Sequence, residues 1–437
     1  MCVTSDQRGS PRGWTTTHTS ARPPAMRIAI VAFGSTGDVL PYIALGKRLR
    51  AAGHDAWLCS ADRYAEEAKA HGLPFVSCAT WSDERHRELM EALLAEPNTV
   101  RHLDIIYGRA RKDIVAVVPA VVGATARAEL IVSHVLAIGG YAAARRHGTP
   151  LVTGHLFDGI IPSAAMSPFG VNLGPLNRAL WAMVGRMVRK KTDPVFNEAL
   201  AAAGLPPERD ILFSASHSRL LNLVAASPAI SRVSPLTERR YQLTGFWFDD
   251  DETTPDPALV AFVESGPPPA VIGFGSMMGI DAREWTRKVV AGVGQRRAVL
   301  QMGWANLGGD SDLPPNIFRA GVVPHRWLFP RASAVIHHGG AGTTAAAMRA
   351  GVPSAMVWFL GDQPTWGKRL ARLGIAPRAV RFSDFSAGWL DHTLQQLTND
   401  QPMRVRAAEL GARIRTEDGL GEAVAAIEQL RARADSR

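Results

Sequence analysis

Three features of the 437-residue sequence predict an α/β fold made of two doubly wound, Rossmann-like parallel-sheet domains facing across a cleft. Short apolar runs alternate with helical stretches in two separate series, and such alternation builds βαβ units around an open parallel sheet. An acidic, proline-bearing stretch, "FDDDETTPDPALVAFVESGPPP", separates the two series and reads as a linker. The second series contains "AVIHHGGAGTTAAAMRAG", a strand that passes through a glycine turn into an alanine-rich helix. The chain is also too long for one compact core.

The first series opens with "RIAIVAF", read as a buried parallel strand, and "GDVLPYIALGKRLRAAG", a helix stopped at Gly53. "DAWLCS", the helix "ADRYAEEAKAHG", "PFVSC", "AELIVSH", "PLVTGHL" and "RLLNLVAAS" continue it, with a long helical region over residues 172–203. The second series runs through "AVIGFGS", "RAVLQMGW", "NIFRAGVV", "AVIHHGG" and "SAMVWFL". These elements divide the chain into a disordered tail (1–25), an N-terminal domain (26–230), a linker (231–268) and a C-terminal domain (269–415). A last helix (416–437) is placed to pack back on the N-terminal domain.

Composition narrows the function. Hydrophobic residues make up 46% of the chain, enough for two cores, and no window reaches the 18 or so apolar residues of a membrane span. Cys2, Cys59 and Cys78 form no C-x-x-C pair, which fits a reducing, cytoplasmic setting. The first 25 residues lack the apolar core of a signal peptide. The net charge of +9 comes with no nucleic-acid motif, so nucleic acid is not expected as a partner; an anionic small substrate or a membrane surface fits the charge.

The glycine turn carries the clearest chemistry. Backbone N–H groups in the first turn of a helix lack partners, and the macrodipole adds positive potential there. Gly339, Gly340 and Gly342 allow close approach to that backbone, while Thr343 and Thr344 add hydroxyls. This pattern suits a phosphate or diphosphate. His337 and His338 are neighbours at a strand end, so their side chains point to opposite faces, one toward the ligand and one toward the packing.

"HHGGAGTT", followed after one strand by "FLGDQPTWGKRLARLG", resembles the donor-binding signature of family 1 nucleotide-sugar glycosyltransferases of the two-domain GT-B fold. "GSTGDVLPYIALGKRLRAAGH" resembles the N-terminal signature of their sterol and bacterial natural-product branches, and the "GFGS" and "GVVPHRWLFPRASAVI" segments fall where that family has them. The resemblance implies transfer of a sugar from a nucleoside-diphosphate sugar to a hydroxyl of a hydrophobic small-molecule or lipid acceptor. It implies that His338 contacts the diphosphate, helped by Ser276, the amides of Gly340 and Gly342, and the Thr343 hydroxyl. Asp362 and Gln363 would hold the sugar hydroxyls, and Trp304 and the backbone of Val323 the nucleobase. Many uridine-using relatives carry a ribose-binding glutamate after the glycine turn; Ala345, Ala346 and Ala347 stand there instead, which leaves uridine against thymidine open.

Asp38, in "GSTGD", matches the position of the family's general base, but an acid there can equally cap the following helix. Ser35, Thr36, His134 and His155 are candidates for the acceptor pocket, each histidine ending a strand and equally able to be structural. No cofactor beyond the co-substrate and no metal are expected, because the formal D-x-D in "DDDE" reads as a solvated acidic run. A nicotinamide oxidoreductase is disfavoured, since the strand after "GFGSMMG" ends "LQMGW" with no acid for a ribose. A sugar-nucleotide epimerase and a non-catalytic binder of the same fold remain as alternatives. Leu176, Leu180, Met183, Val184 and Met187 fall at helical spacing beside Arg178, Arg186, Arg189, Lys190 and Lys191. That stretch is either a helix packed on its own domain or a basic amphipathic surface for an anionic membrane.

Overall fold

The computed structural model describes residues 25–98, 101–250, 254–309 and 311–435. Residues 1–24 of the expected tail lie outside them. The N-terminal sheet contains β1 (Arg27–Val31), β2 (Asp55–Ala61), β3 (Phe75–Ala79), β4 (Leu130–His134), β5 (Leu151–His155), β6 (Leu221–Val224) and β7 (Tyr241–Leu243). All are parallel, in the order β3-β2-β1-β4-β5-β6-β7. The C-terminal sheet contains β8 (Ala270–Gly273), β9 (Ala298–Gln301), β10 (Ile317–Ala320), β11 (Ala334–His337), β12 (Ser354–Trp358) and β13 (Val380–Arg381). These are also parallel, in the order β10-β9-β8-β11-β12-β13.

Each central strand is apolar on both sides because helices cover both faces of its sheet. In β1, Ile28 and Ile30 pack against Tyr42, Leu45 and Leu49 of the helix Thr36–Ala51, while Ala29 and Val31 face Val121 and the opposite layer. In β8 and β11, Ile272 and Ile336 turn to one core and Val271 and Val335 to the other. Strand order reverses between β1 and β4 and between β8 and β11, and ligands bind such sheets at the carboxyl ends of these switch points.

Two-residue β13 and three-residue β7 were not anticipated, being too short for a periodic signal. Among the described residues between β3 and β4, three helices occur, Asp83–Ala95, His102–Arg109 and Arg111–Ala124, which the alternation does not resolve. The expected linker over 231–268 is corrected: β7 joins the N-terminal sheet, and the helix Pro257–Glu264 buries Leu259 and Val263 in the C-terminal domain. Its acidic run is not simply solvated either. Asp249 pairs with His71 and Lys47 of the N-terminal domain, and Asp250 accepts both Arg349 guanidinium nitrogens at 2.6 and 2.9 Å. Asp251 and Glu252 lie outside the described residues.

Two further packings join the domains. The final helix, Gly419–Asp435, places Ala423, Val424 and Ile427 in the core beside β1. An apolar cluster combines Ile161, Val224 and Phe246 with Met348, Trp366, Leu370 and Ile414 of the C-terminal domain. The expected amphipathic stripe is shifted: the helix Leu176–Ala202 buries Trp181, Gly185, Val188 and Thr192, leaving Leu176 and Met183 exposed. No described helix is long and apolar enough to cross a membrane.

Candidate functional site

A single cavity of about 1930 Å³ is lined by the strand-end loops of both sheets. On one wall, Gly34–Asp38 follow β1 and His134 ends β4; on the other, Gly275 and Ser276 follow β8 and His338, Gly340, Gly342 and Thr343 follow β11. Residues far apart in sequence meet here because parallel strands deliver all their carboxyl ends to one edge.

The glycine turn builds the anion end. Gly340 is the N-cap of the helix Ala341–Ala350, so the amides of Ala341, Gly342 and Thr343 occupy its unpaired first turn. The His338 ring lies between Gly275 and Gly340: a Cβ on Gly275 would sit 2.8 Å from the imidazole Cε1, and one on Gly340 would strike Nε2. Only bare backbone lets the ring reach this position. His338 is pushed down to about 4, first by burial and then by His325, so it is neutral at pH 7. Its Nδ1 is buried with no hydrogen-bond partner among the described residues, an arrangement that costs stability unless a ligand or water completes it. His337 points the other way, as alternation along a strand requires, and its Nδ1 accepts the Gly339 N–H at 3.1 Å. It does not line the cavity and pins the turn.

At the next strand end, Asp362 and Gln363 open the helix Gln363–Arg372. Gln363 uses its amide oxygen on the Phe359 and Leu360 N–H groups, at 2.7 and 3.1 Å, while its NH₂ donates one hydrogen to the Met277 sulfur at 3.6 Å. Asp362 accepts the Trp366 indole N–H at 2.8 Å, and burial raises its carboxyl to about 6. Val323 lines the cavity with His325, Arg326 and Arg349, which sequence reasoning had not assigned. Of the three alanines after the turn, Ala346 lines the cavity, while Ala345 and Ala347 are buried. Trp304 also reaches the wall, but Arg63 lies 4.1 Å from its ring centre and the rings of Trp81 and His86 lie 6.0 and 5.3 Å away. The indole is thus packed by the other domain on one face and at its edges while it also lines the cavity.

The two oxygens of Asp38 stand in different surroundings. Ser35 is the N-cap and Asp38 the third helical residue; Oδ2 accepts the Ser35 N–H at 2.7 Å and the Ser35 hydroxyl at 2.9 Å. Neither cap hydrogen bond engages Oδ1. Gly34, at φ +131°, leaves room for the carboxylate, since a Cβ there would collide with it. Ser35 and Thr36 line the cavity beside it. His134 lines it too, edge-on to Tyr42 at 5.6 Å; burial lowers its pKa and the nearby Asp38 opposes that shift. His155 is corrected: it does not line the cavity and packs in the core against His217 and Tyr241, at 4.8 and 5.8 Å. From Asp38 outward the wall is largely apolar, with Met90, Leu93, Leu136, Trp181, Val184 and Phe213. Among the described residues, no three His, Cys, Asp or Glu side chains converge on a point that would hold a metal ion.

The two histidines should separate cleanly. His338→Gln is expected to weaken a nucleoside diphosphate by about 1.5–3 kcal/mol, the scale of a hydrogen bond to a charged group. His337→Gln should leave that affinity within about twofold and instead lower the melting temperature, through the lost turn hydrogen bond. Titration calorimetry beside thermal denaturation checks both, and the reverse pattern would exchange the roles.

The sequence matches two family models: the glycosyltransferase family 28 N-terminal domain over residues 28–140, and the erythromycin biosynthesis protein CIII-like C-terminal domain over 292–430. It is 30% identical over 432 residues to the O-mycaminosyltylonolide 6-deoxyallosyltransferase of Streptomyces fradiae, covering 92% of this chain and 97% of that one. It is also 30% identical over 432 residues to the sterol 3-beta-glucosyltransferase of Pichia angusta, where the match covers 94% of this chain; the chain spans only 34% of that relative's length. Among solved structures, the glycosyltransferase VinC in complex with dTDP superposes with a TM-score of 0.68 at 19% identity, covering 93% of this chain and 100% of VinC. A match that runs nearly end to end in the Streptomyces relative, on a fold whose strand ends meet as described, places the chain in the family: it belongs to the family 1 glycosyltransferases of the GT-B fold, in the branch of the sterol and bacterial natural-product enzymes.

Proposed function

We propose that the protein transfers a sugar from a nucleoside-diphosphate sugar to a hydroxyl of a bulky hydrophobic alcohol or phenol, with inversion at the anomeric carbon. The observation that carries this reading is the continuity of one cavity from the Asp38 carboxylate to the Gly340 helix N-terminus. Asp38 Oδ2 is held by Ser35, so the carboxylate is fixed while Oδ1 takes the proton of the attacking acceptor hydroxyl. The acceptor oxygen bonds to the anomeric carbon as the bond to the diphosphate breaks on the opposite face. Charge developing on the leaving diphosphate meets the first-turn amides, Thr343, Ser276 and His338. These donors stabilise the leaving group without a metal. The second N–H of the Gln363 amide and the Asp362 carboxylate hold the sugar hydroxyls, one donating and the other accepting. The apolar wall of Leu93, Trp181 and Phe213 favours a hydrophobic acceptor.

A peripheral membrane contact fits the same mouth. Phe169, Val171, Leu173, Leu176 and Met183 are exposed beside the cavity residues Met166, Pro168 and Gly170, with Arg178 and Arg186 exposed on the same segment. Lys191, also assigned to this surface, instead pairs with Asp104 at 2.6 Å.

A single displacement turns an α-linked donor into a β-glycoside. Anomeric coupling constants of the product, read by NMR, should therefore show inversion, and retained configuration would contradict the mechanism. Asp38→Asn keeps an acceptor for the Ser35 N–H, so the cap and the melting temperature should survive while kcat falls by roughly 10²-fold or more. Wild-type turnover in that variant would remove Asp38 from the chemistry. Co-sedimentation with anionic vesicles should be reversible and weaken as salt screens the basic residues. Absence of binding at low salt would reduce the exposed segment to an acceptor-mouth feature alone.

A further inference from the structure

The helix Gln363–Arg372 opens on the residues that face the sugar and carries, on the same side, a set of contacts to the other domain. Positions 362, 366, 369 and 372 follow one another at intervals of three or four and so share a face. Asp362 accepts the Trp366 indole N–H at 2.8 Å. Trp366 is fully buried, with the Phe157 ring 5.2 Å from it and the Arg369 guanidinium 5.0 Å from its centre. Arg369 Nη2 donates to both carboxylate oxygens of Asp158, at 2.8 and 3.1 Å, and Nη1 to the Ser231 hydroxyl at 3.0 Å. Arg372 donates to the Gly170 carbonyl. Asp158, Ser231, Phe157 and Gly170 all belong to the N-terminal part of the chain, the domain that carries Asp38. The ion pair is buried, at 9% and 7% exposure, unlike most of the ion pairs on this protein's surface.

We propose that Asp158 and Arg369 are positioning residues: their clasp across the domains fixes Trp366, and through it the sugar-binding Asp362 and Gln363, in register with Asp38. The inference rests on the reading that Asp362 and Gln363 hold the sugar. The anomeric carbon must meet a base on one domain while its hydroxyls are held by the other, so an error in domain register becomes an error in attack geometry. A misplacement of about 1 Å can cost 10²-fold in rate. The diphosphate end has no such dependence, because the Gly340 turn, His338 and Ser276 all stand on the C-terminal sheet. The clasp therefore acts on the sugar and not on the nucleotide.

The test compares binding of a nucleotide sugar with binding of the matching nucleoside diphosphate in Asp158→Asn, Arg369→Met and Arg369→Lys, with kcat measured alongside. Lysine retains charge and length and guards against a variant that fails to fold, but it cannot reproduce the forked contact to Asp158 and Ser231. In each variant, diphosphate affinity should stay within about twofold, while nucleotide-sugar affinity falls about tenfold and kcat by about 10- to 100-fold. Equal losses for both ligands would mean general damage to the donor domain, and unchanged values for both would mean the clasp is ornamental to catalysis; either result overturns the proposal. Asp362→Asn is the control. If it binds nucleotide sugar and diphosphate in the wild-type ratio, the sugar-binding reading itself fails and the positioning role falls with it. If it loses that ratio while the clasp variants keep theirs, only the clasp is refuted.

Discussion

Parallel pairing is the constraint on which the rest depends. A strand that must run parallel to its neighbour leaves the sheet at its carboxyl end and returns through a helix, so every loop able to carry chemistry emerges along one edge. This protein has two such edges lining one cavity. The first edge supplies a carboxylate after β1 and the second supplies unpaired amides after β11. The proposed inverting displacement needs those two kinds of group on opposite faces of the anomeric carbon, and neither sheet alone presents both.

Helix starts do double work at both edges. At Asp38, one oxygen closes the Ser35 capping box and the other makes no cap hydrogen bond. The cap lowers the freedom of the side chain, so the carboxylate is held in one orientation before any substrate arrives. At Gly340 the same unsatisfied first turn is left without a side-chain cap, which keeps its amides for an anion. Under the proposed mechanism, capped and uncapped helix starts thus separate proton acceptance from charge stabilisation by local backbone chemistry.

Groups set by local pattern were legible in the sequence. The apolar runs gave the strands from β1 to β6 and from β8 to β12, and the alternation of His337 and His338 followed from strand geometry. What depended on tertiary placement was not. Ending a strand does not decide which side of the sheet edge a residue faces, and His155 turned to the core while His134 reached the cavity. The helix Leu176–Ala202 turns a face around Trp181 and Val188 to the core, where the Trp181 indole N–H donates to the Met166 carbonyl, a tertiary contact that a stripe counted from Leu176 does not register. Trp304 could not be assigned from its own neighbourhood, since Arg63 and Trp81 come from the other domain. Asp158 and Arg369, 211 positions apart, carry no local signal at all.

The contacts between the domains differ in kind, and their burial sets what each can do. Arg349–Asp250 is partly exposed, at 26% and 48%, so water competes for both partners and the pair is worth at most about 1 kcal/mol. Asp158–Arg369 is desolvated, and separating its partners while they stay buried would leave charges uncompensated. The pair therefore favours the packed arrangement in which Trp366 holds the Asp362 carboxylate, and any separation of the two domains at this point carries the cost of rehydrating both charges.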